Sequence, residues 1–183
     1  MTSSPPPGRT TSRTEKTFET LHTERLVLVA LTPELARAAL EDRAKLGGMI
    51  GAHVPESWPG ADFARMLPCL ARRRGAGLIR SRTNPPRRPR GGRALIGETG
   101  FHGPPNGRGT IDVGYSIIPA YRGRRFATEA TRALIGAALA RPEIRRITAE
   151  CLDYNLASLR VLEKLGMRHI GSAGGTLRFK LRD

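Results

Sequence analysis

A chain of 183 residues, 39% hydrophobic and 26% charged, is long enough to bury one core and too short for two full domains. It has no run near the roughly 18 apolar residues of a membrane span, and its start, MTSSPPPGRTTSRTEKT, lacks the apolar stretch of a signal peptide, so a cytoplasmic protein with no membrane partner is expected. Two cysteines and four scattered histidines give no C-x-x-C or H-x-x-x-H spacing, which argues against a disulfide framework and against any metal.

The formal charge of +15 comes from 31 Lys and Arg against 16 Asp and Glu. Much of it sits in an acid-free stretch from Phe63 to Gly97 that carries Arg65, Arg72, Arg73, Arg74, Arg80, Arg82, Arg87, Arg88, Arg90 and Arg93. Such a stretch suits phosphates, on nucleic acid or on a nucleotide cofactor, and it also suits a solvated arginine face. With no aromatics interleaved as stacking platforms, nucleic acid is the less favoured partner.

Residues 1–17 are rich in Ser, Thr, Pro and charge and read as a disordered tail, followed by one domain over residues 18–183. ERLVLVALT has the length and β-branched content of a strand. Thr32 then caps a helix with Pro33 at its first position, and the pattern continues to about Leu46. GGMIGAHVPESWPGAD is full of turn residues, after which Phe63, Met66, Leu67 and Leu70 recur at helical spacing despite Pro68. Gly75 to Ser81 suggests a short strand, and TNPPRRPRGG a loop. RALIGETGF and TIDVGYSII are two strands joined by the hairpin loop HGPPNGRG. A helix starts after PAYRGRR and keeps its period to Leu139, and IRRITAECL is another strand. Asn155 caps a last helix, Leu156 to Leu165, with Gly166 in the left-handed position beyond it. MRHIGSAGGTLRFKLRD closes the chain as a strand pair around a glycine turn. The fold class is α/β, a mixed sheet covered by helices.

The strand, turn and helix of SIIPAYRGRRFATEATRAL gather uncapped amides, the positive end of a helix dipole, three arginines and the Thr128 hydroxyl, all of which favour an anion. An ordinary exposed helix start is the competing account.

YRGRRFATEA, followed by AECLDYNLASLRVLEKLGM, resembles the GNAT superfamily of acyl-CoA-dependent N-acyltransferases, and most of all its branch of ribosomal-protein N-terminal acetyltransferases. The likeness runs from about Leu26 to Ile170. It implies a mixed, mostly antiparallel central sheet with splayed strands, flanked by helices, and acetyl-CoA as co-substrate. On that resemblance Arg122, Gly123, Arg124, Arg125, Phe126, Ala127 and Thr128 wrap the coenzyme A pyrophosphate, with Arg125 standing where the family usually has its middle glycine. The thioester is expected between splayed strands at Leu95–Phe101 and Ile111–Ile118, with the backbone near Ile117 paired to pantetheine. The attacking amine must be neutral, so a base is needed. Glu98 is the first candidate and Asp112 the competitor or orienting group, while His102 reads as a surface residue. Many relatives carry a general-acid tyrosine in the last helix where this chain has Leu162. Ser158, one turn earlier on the same face, is then the candidate hydrogen-bond donor to sulfur, and Asn155 either holds pantetheine or caps the helix. Cys151 reads as buried filler. Acceptor selectivity is expected from His53, Glu56 and Trp58.

The resulting expectation is an acetyl-CoA-dependent N-acetyltransferase, monomeric or homodimeric, for an amine such as a protein or peptide α-amine. Two alternatives stand beside it. One is a nucleic-acid-binding or regulatory protein that uses residues 65–93, with the ribosome as a conceivable partner. The other is an acetyltransferase for a small amine or antibiotic.

Overall fold

The computed structural model describes residues 20–71, 76–81 and 93–181. The expected tail and most of the arginine-rich loop therefore lie outside the described residues. Eight strands form one sheet: β1 (Thr20–His22), β2 (Leu26–Ala30), β3 (Ala76–Ser81), β4 (Leu95–Phe101), β5 (Thr110–Ile117), β6 (Arg146–Leu152), β7 (Met167–Ala173) and β8 (Thr176–Leu181). Their spatial order is β1-β2-β3-β4-β5-β6-β8-β7, and every pair is antiparallel except β5 with β6.

The helices are α1 (Pro33–Glu41), α2 (Arg43–Ile50), α3 (Ala61–Leu70), α4 (Phe126–Leu139) and α5 (Leu156–Lys164). Thr32 caps α1 by accepting from the Leu35 N–H. The single helix expected from Pro33 to Leu46 is in fact two. Asp42 adopts an extended backbone and accepts from the Ala44 N–H at 2.8 Å, so it ends α1 and caps α2, which then continues through Gly47 and Gly48. α3 runs through Pro68 to Leu70. β1 has only three residues and carries no alternating pattern by which sequence could reveal it.

β2 shows how the layers are built. Val27 and Val29 face a core with Leu35, Leu46, Trp58, Phe63 and Leu67 from the first three helices, whereas Leu26 and Leu28 face Ile96, Ile117 and Ala130 of α4. The N-terminal half of the sheet is thus covered on both faces. Beyond β5, Ile147, Ala149, Cys151 and Phe179 pack under α4 and α5, while Arg146 and Glu150 of β6 are exposed on the other face.

The splay is not where it was expected. β4 and β5 pair without interruption from Gly97↔Ile117 to Phe101↔Val113. It is β5 and β6 that part, because their pairing stops at Asp112↔Thr148 while β6 continues to Leu152 against β8 alone. The physical reason is topological: β5 and β6 are parallel and joined through α4, so no hairpin turn holds their far ends together.

Candidate active site

Glu98 lies on the face of β4 turned toward α1–α3. The α2–α3 loop folds over it, and Trp58 of that loop is 0% exposed, with its ring 6.0 Å from that of Phe63. Trp58 Nε1 donates to Glu98 Oε2 at 2.8 Å. Ser116, directly across in β5, hydrogen-bonds the same carboxyl. Glu98 itself is 6% exposed. Burial penalises the carboxylate and pushes its pKa up to about 7, against the opposing pull of the Trp58 and Ser116 hydrogen bonds. The carboxyl is therefore poised to exchange a proton near neutral pH.

Trp58 is consequently not an acceptor contact, because its indole is sealed in the core and its one donor is engaged by Glu98. His53 and Glu56 are exposed in the same loop, with the His53 backbone bonded to Arg93 and Leu95 at 2.8 Å each. Asp112 is not brought to Glu98 either. It lies four residues along β5 from Ser116, and its oxygens are taken by His102 Nδ1 at 2.8 Å and Thr148 Oγ1 at 2.9 Å. The Asp112 hydrogen bond holds the His102 pKa above the usual imidazole range, and the His102 ring lies over Gly114, where a Cβ would meet it at 2.8 Å.

The β5–β6 gap is edged by main-chain groups. The Asp112 carbonyl and the Ile118 N–H bond to β4, so by alternation the peptide groups of Tyr115 and Ile117 turn to the gap. The Ile117 carbonyl accepts from Arg122 Nε at 2.8 Å, which leaves its N–H along the gap. At the mouth, Gly123 (φ 74°) and Arg125 (φ 64°) are both left-handed, and Arg125 is the one non-glycine with positive φ among the described residues. The first bond of α4 runs from the Glu129 N–H to the Arg125 carbonyl, and no side chain caps the helix. The amides of Phe126, Ala127 and Thr128 thus precede the helical ladder, beside exposed Arg122, Arg124 and Arg125. Thr128 is buried, unlike the exposed arginines that precede it. The loop is tied down by Glu129, which accepts from Thr23, the Arg25 N–H and the Arg25 guanidinium, while Arg25 lies 4.7 Å from the Phe126 ring centroid.

On the far side of the gap, Asn155 Oδ1 accepts from the Ser158 N–H at 3.1 Å, so Asn155 is a helix cap. Leu162 is buried. Ser158 has a neighbour that sequence reading missed: the Tyr115 hydroxyl, 2.9 Å from its Oγ and 3.2 Å from its carbonyl oxygen. The signal was there in the alternation of β5, which puts Tyr115 on the same face as Ile111, Val113 and Ile117. Cys151 is buried, and desolvation raises its thiol pKa. A cavity of about 1140 Å³ lies near the C-terminal end of α4 between Leu28, Leu70 and Leu134, with His102 in its wall. Among the described residues no group of three His, Cys, Asp or Glu side chains is placed to hold a metal, and no helix is long and apolar enough to cross a membrane.

The Acetyltransferase (GNAT) domain family matches residues 25–168. An uncharacterized N-acetyltransferase of Bacillus subtilis, YjdG, is 31% identical over 155 residues, which is 80% of this chain and 88% of that protein. Among solved structures, the ribosomal L7/L12 α-N-protein acetyltransferase RimL aligns with a TM-score of 0.61 at 17% identity, covering 92% of this chain and 96% of RimL. The microcin C7 self-immunity acetyltransferase MccE, solved with acetyl-CoA and AMP, aligns with a TM-score of 0.58 at 15% identity, covering 86% and 92%.

Two outcomes are expected from this geometry. A left-handed non-glycine costs about 1–2 kcal/mol, partly offset by the extra unfolded-state freedom of glycine, so Arg125→Gly should raise stability by about 0.5–1 kcal/mol. Calorimetry should show a melting temperature higher by about 1–4 °C. Glu98 has a folded pKa near 7, above the ordinary carboxyl value of 4.5, so its contribution to stability is full below pH 4.5 and is lost as pH rises through 7. The melting temperature of Glu98→Gln relative to the wild type should therefore climb between pH 4.5 and 7 and stay level above.

Proposed function

The chain belongs to the GNAT family of acetyl-CoA-dependent N-acetyltransferases, and we propose that it acetylates the α-amine of a peptide or protein, with Glu98 as the base. The observation that carries this reading is the buried Glu98 carboxyl with its pKa of about 7. An α-ammonium has a pKa near 7.8 and a lysine side chain near 10.4. Moving a proton to such a base is uphill by about 1 kcal/mol from the α-ammonium and by about 4–5 kcal/mol from lysine. Glu98 is thus matched to a weak amine. The likeness to RimL, a ribosomal L7/L12 α-N-protein acetyltransferase, is consistent with that choice.

The residues present fit the donor. Gly123 and Arg125, with the amides of Phe126 and Ala127, form a cationic concavity for the pyrophosphate, joined by the Arg122 and Arg124 guanidiniums. The Ile117 N–H and the Tyr115 peptide groups offer strand-like pairing to pantetheine along the gap. Bound there, acetyl-CoA supplies the acetyl group as a thioester open to attack by an amine. Ser158 is the hydrogen-bond donor to sulfur, standing in for the tyrosine that Leu162 replaces. His53 and Glu56, exposed in the loop that covers Glu98, are the acceptor-facing candidates.

Acetyl transfer should be measured to peptides with free N-termini, to N-terminally blocked peptides containing lysine, and to small polyamines. The free α-amine peptides are expected to be the substrates at pH 7, and acetylation confined to lysine or polyamines would overturn the reading. With the best acceptor, Glu98→Gln should lower the rate at pH 7 by about a hundredfold, with recovery as rising pH neutralises the amine in solution. A wild-type rate and pH profile in this variant would remove Glu98 from the chemistry.

A further inference from the structure

Tyr115 and Ser158 come from opposite sides of the β5–β6 gap, the first from β5 and the second from the first turn of α5. The Tyr115 hydroxyl has one hydrogen and two neighbours on Ser158, Oγ at 2.9 Å and the carbonyl oxygen at 3.2 Å. Of the two, Oγ is the nearer. Cys151 of β6 is a further hydrogen-bond neighbour of the Ser158 side chain. Burial pushes the Tyr115 phenol up to about 12, so it keeps its hydrogen at neutral pH and has it to donate. If Ser158 gives its one hydrogen to sulfur, its Oγ can only accept from Tyr115, and the phenol is then the donor of the pair.

A serine in a helix usually gives that hydrogen to a carbonyl one turn back. Here Tyr154 O and Asn155 O each already accept one N–H, at 3.0 and 3.1 Å, and the Ser158 side chain faces Tyr115 across the β5–β6 gap, where a sulfur would compete for that hydrogen.

We propose that Tyr115 is a positioning residue, which donates to Ser158 Oγ so that the Ser158 hydrogen is held toward the sulfur of coenzyme A in the β5–β6 gap. The proposal rests on the reading of Ser158 as the donor to sulfur. Tyr115 keeps its proton throughout and touches neither substrate; it fixes the direction of one hydrogen before the thiolate forms. The phenol that relatives carry in the last helix is thereby replaced by a two-residue device, a serine on the helix and a tyrosine on the strand that faces it.

The test is an ultraviolet difference titration of the coenzyme A thiolate bound to the full-length protein. A hydrogen bond directed at sulfur stabilises the thiolate, so bound coenzyme A in the wild type should titrate about one pH unit below the ordinary thiol value near 8.5. Tyr115→Phe should reverse at least half of that displacement with unchanged coenzyme A affinity by calorimetry. Ser158→Ala should abolish it, and the double variant should match Ser158→Ala, because Tyr115 acts only through Ser158. A wild-type titration in Tyr115→Phe, alongside one returned to the ordinary thiol value in Ser158→Ala, overturns the proposal and leaves the Ser158 reading intact. An additive double variant also overturns it. No change in Ser158→Ala overturns both. Should Tyr115→Phe fail to fold, 3-fluorotyrosine in place of the three tyrosines keeps the packing and makes a stronger donor. The bound thiol should then titrate lower still, and an unmoved titration overturns the proposal.

Discussion

The site depends on a carboxyl taken out of water. Glu98 sits on a strand covered on both faces, and the loop that covers it brings an indole N–H to one oxygen while Ser116 bonds the carboxyl from the neighbouring strand. Were burial acting alone, the carboxyl would be driven further toward its neutral form. Were the hydrogen bonds acting alone, it would be an ordinary, strongly ionised glutamate with little affinity for a proton. The balance between them gives a base near neutrality. The same balance explains why the first three helices matter to chemistry that takes place on the sheet. They seal Trp58 against Phe63, Leu46 and Leu67, and thereby keep water from Glu98.

The donor half of the site follows a different logic. It uses main chain rather than side chains, because a parallel pair joined by a helix is free to part at its ends. That parting exposes the edge of β5, and the turn after it presents the amides at the start of α4. Arg125 takes a backbone conformation suited to glycine, and the structure keeps it in place through the Glu129–Arg25–Thr23 network at the base of the loop. In the proposed binding mode the Arg125 guanidinium adds charge beside the phosphate, at a cost in backbone strain.

Much of this was legible in the sequence, for identifiable reasons. Alternation and turn residues located β4 through β8, and the Thr32 and Asn155 caps fixed two helix starts because a capping side chain leaves a local signature. Asp42 carries the same signature, but the continuing apolar period hid it. Non-local features were harder. That β5 parts from β6 rather than from β4 depends on which strands are neighbours, and that Trp58 serves Glu98 depends on a contact 40 residues apart. Trp58 was grouped with His53 and Glu56 because all three lie in the loop that the resemblance links to acceptor selectivity, whereas its N–H has a buried partner that sequence spacing does not reveal. Glu98 was legible as a candidate through the resemblance, which sets its strand against the thioester, yet its proton affinity is a property of the assembled core. The alternation of β5 gave the face of Tyr115, but its pairing with Ser158 was hidden for the same reason, since that partner lies on a helix 43 residues away.

The most direct measurement is the titration of Glu98 itself, by carbon NMR of protein labelled at the glutamate carboxyls, with Glu98→Gln to assign the resonance. The account predicts one carboxyl with a midpoint of about 7, moving higher in Trp58→Phe because a hydrogen bond to the carboxylate is lost. A Glu98 resonance that titrates near 4.5 and ignores the loss of the indole N–H would contradict it.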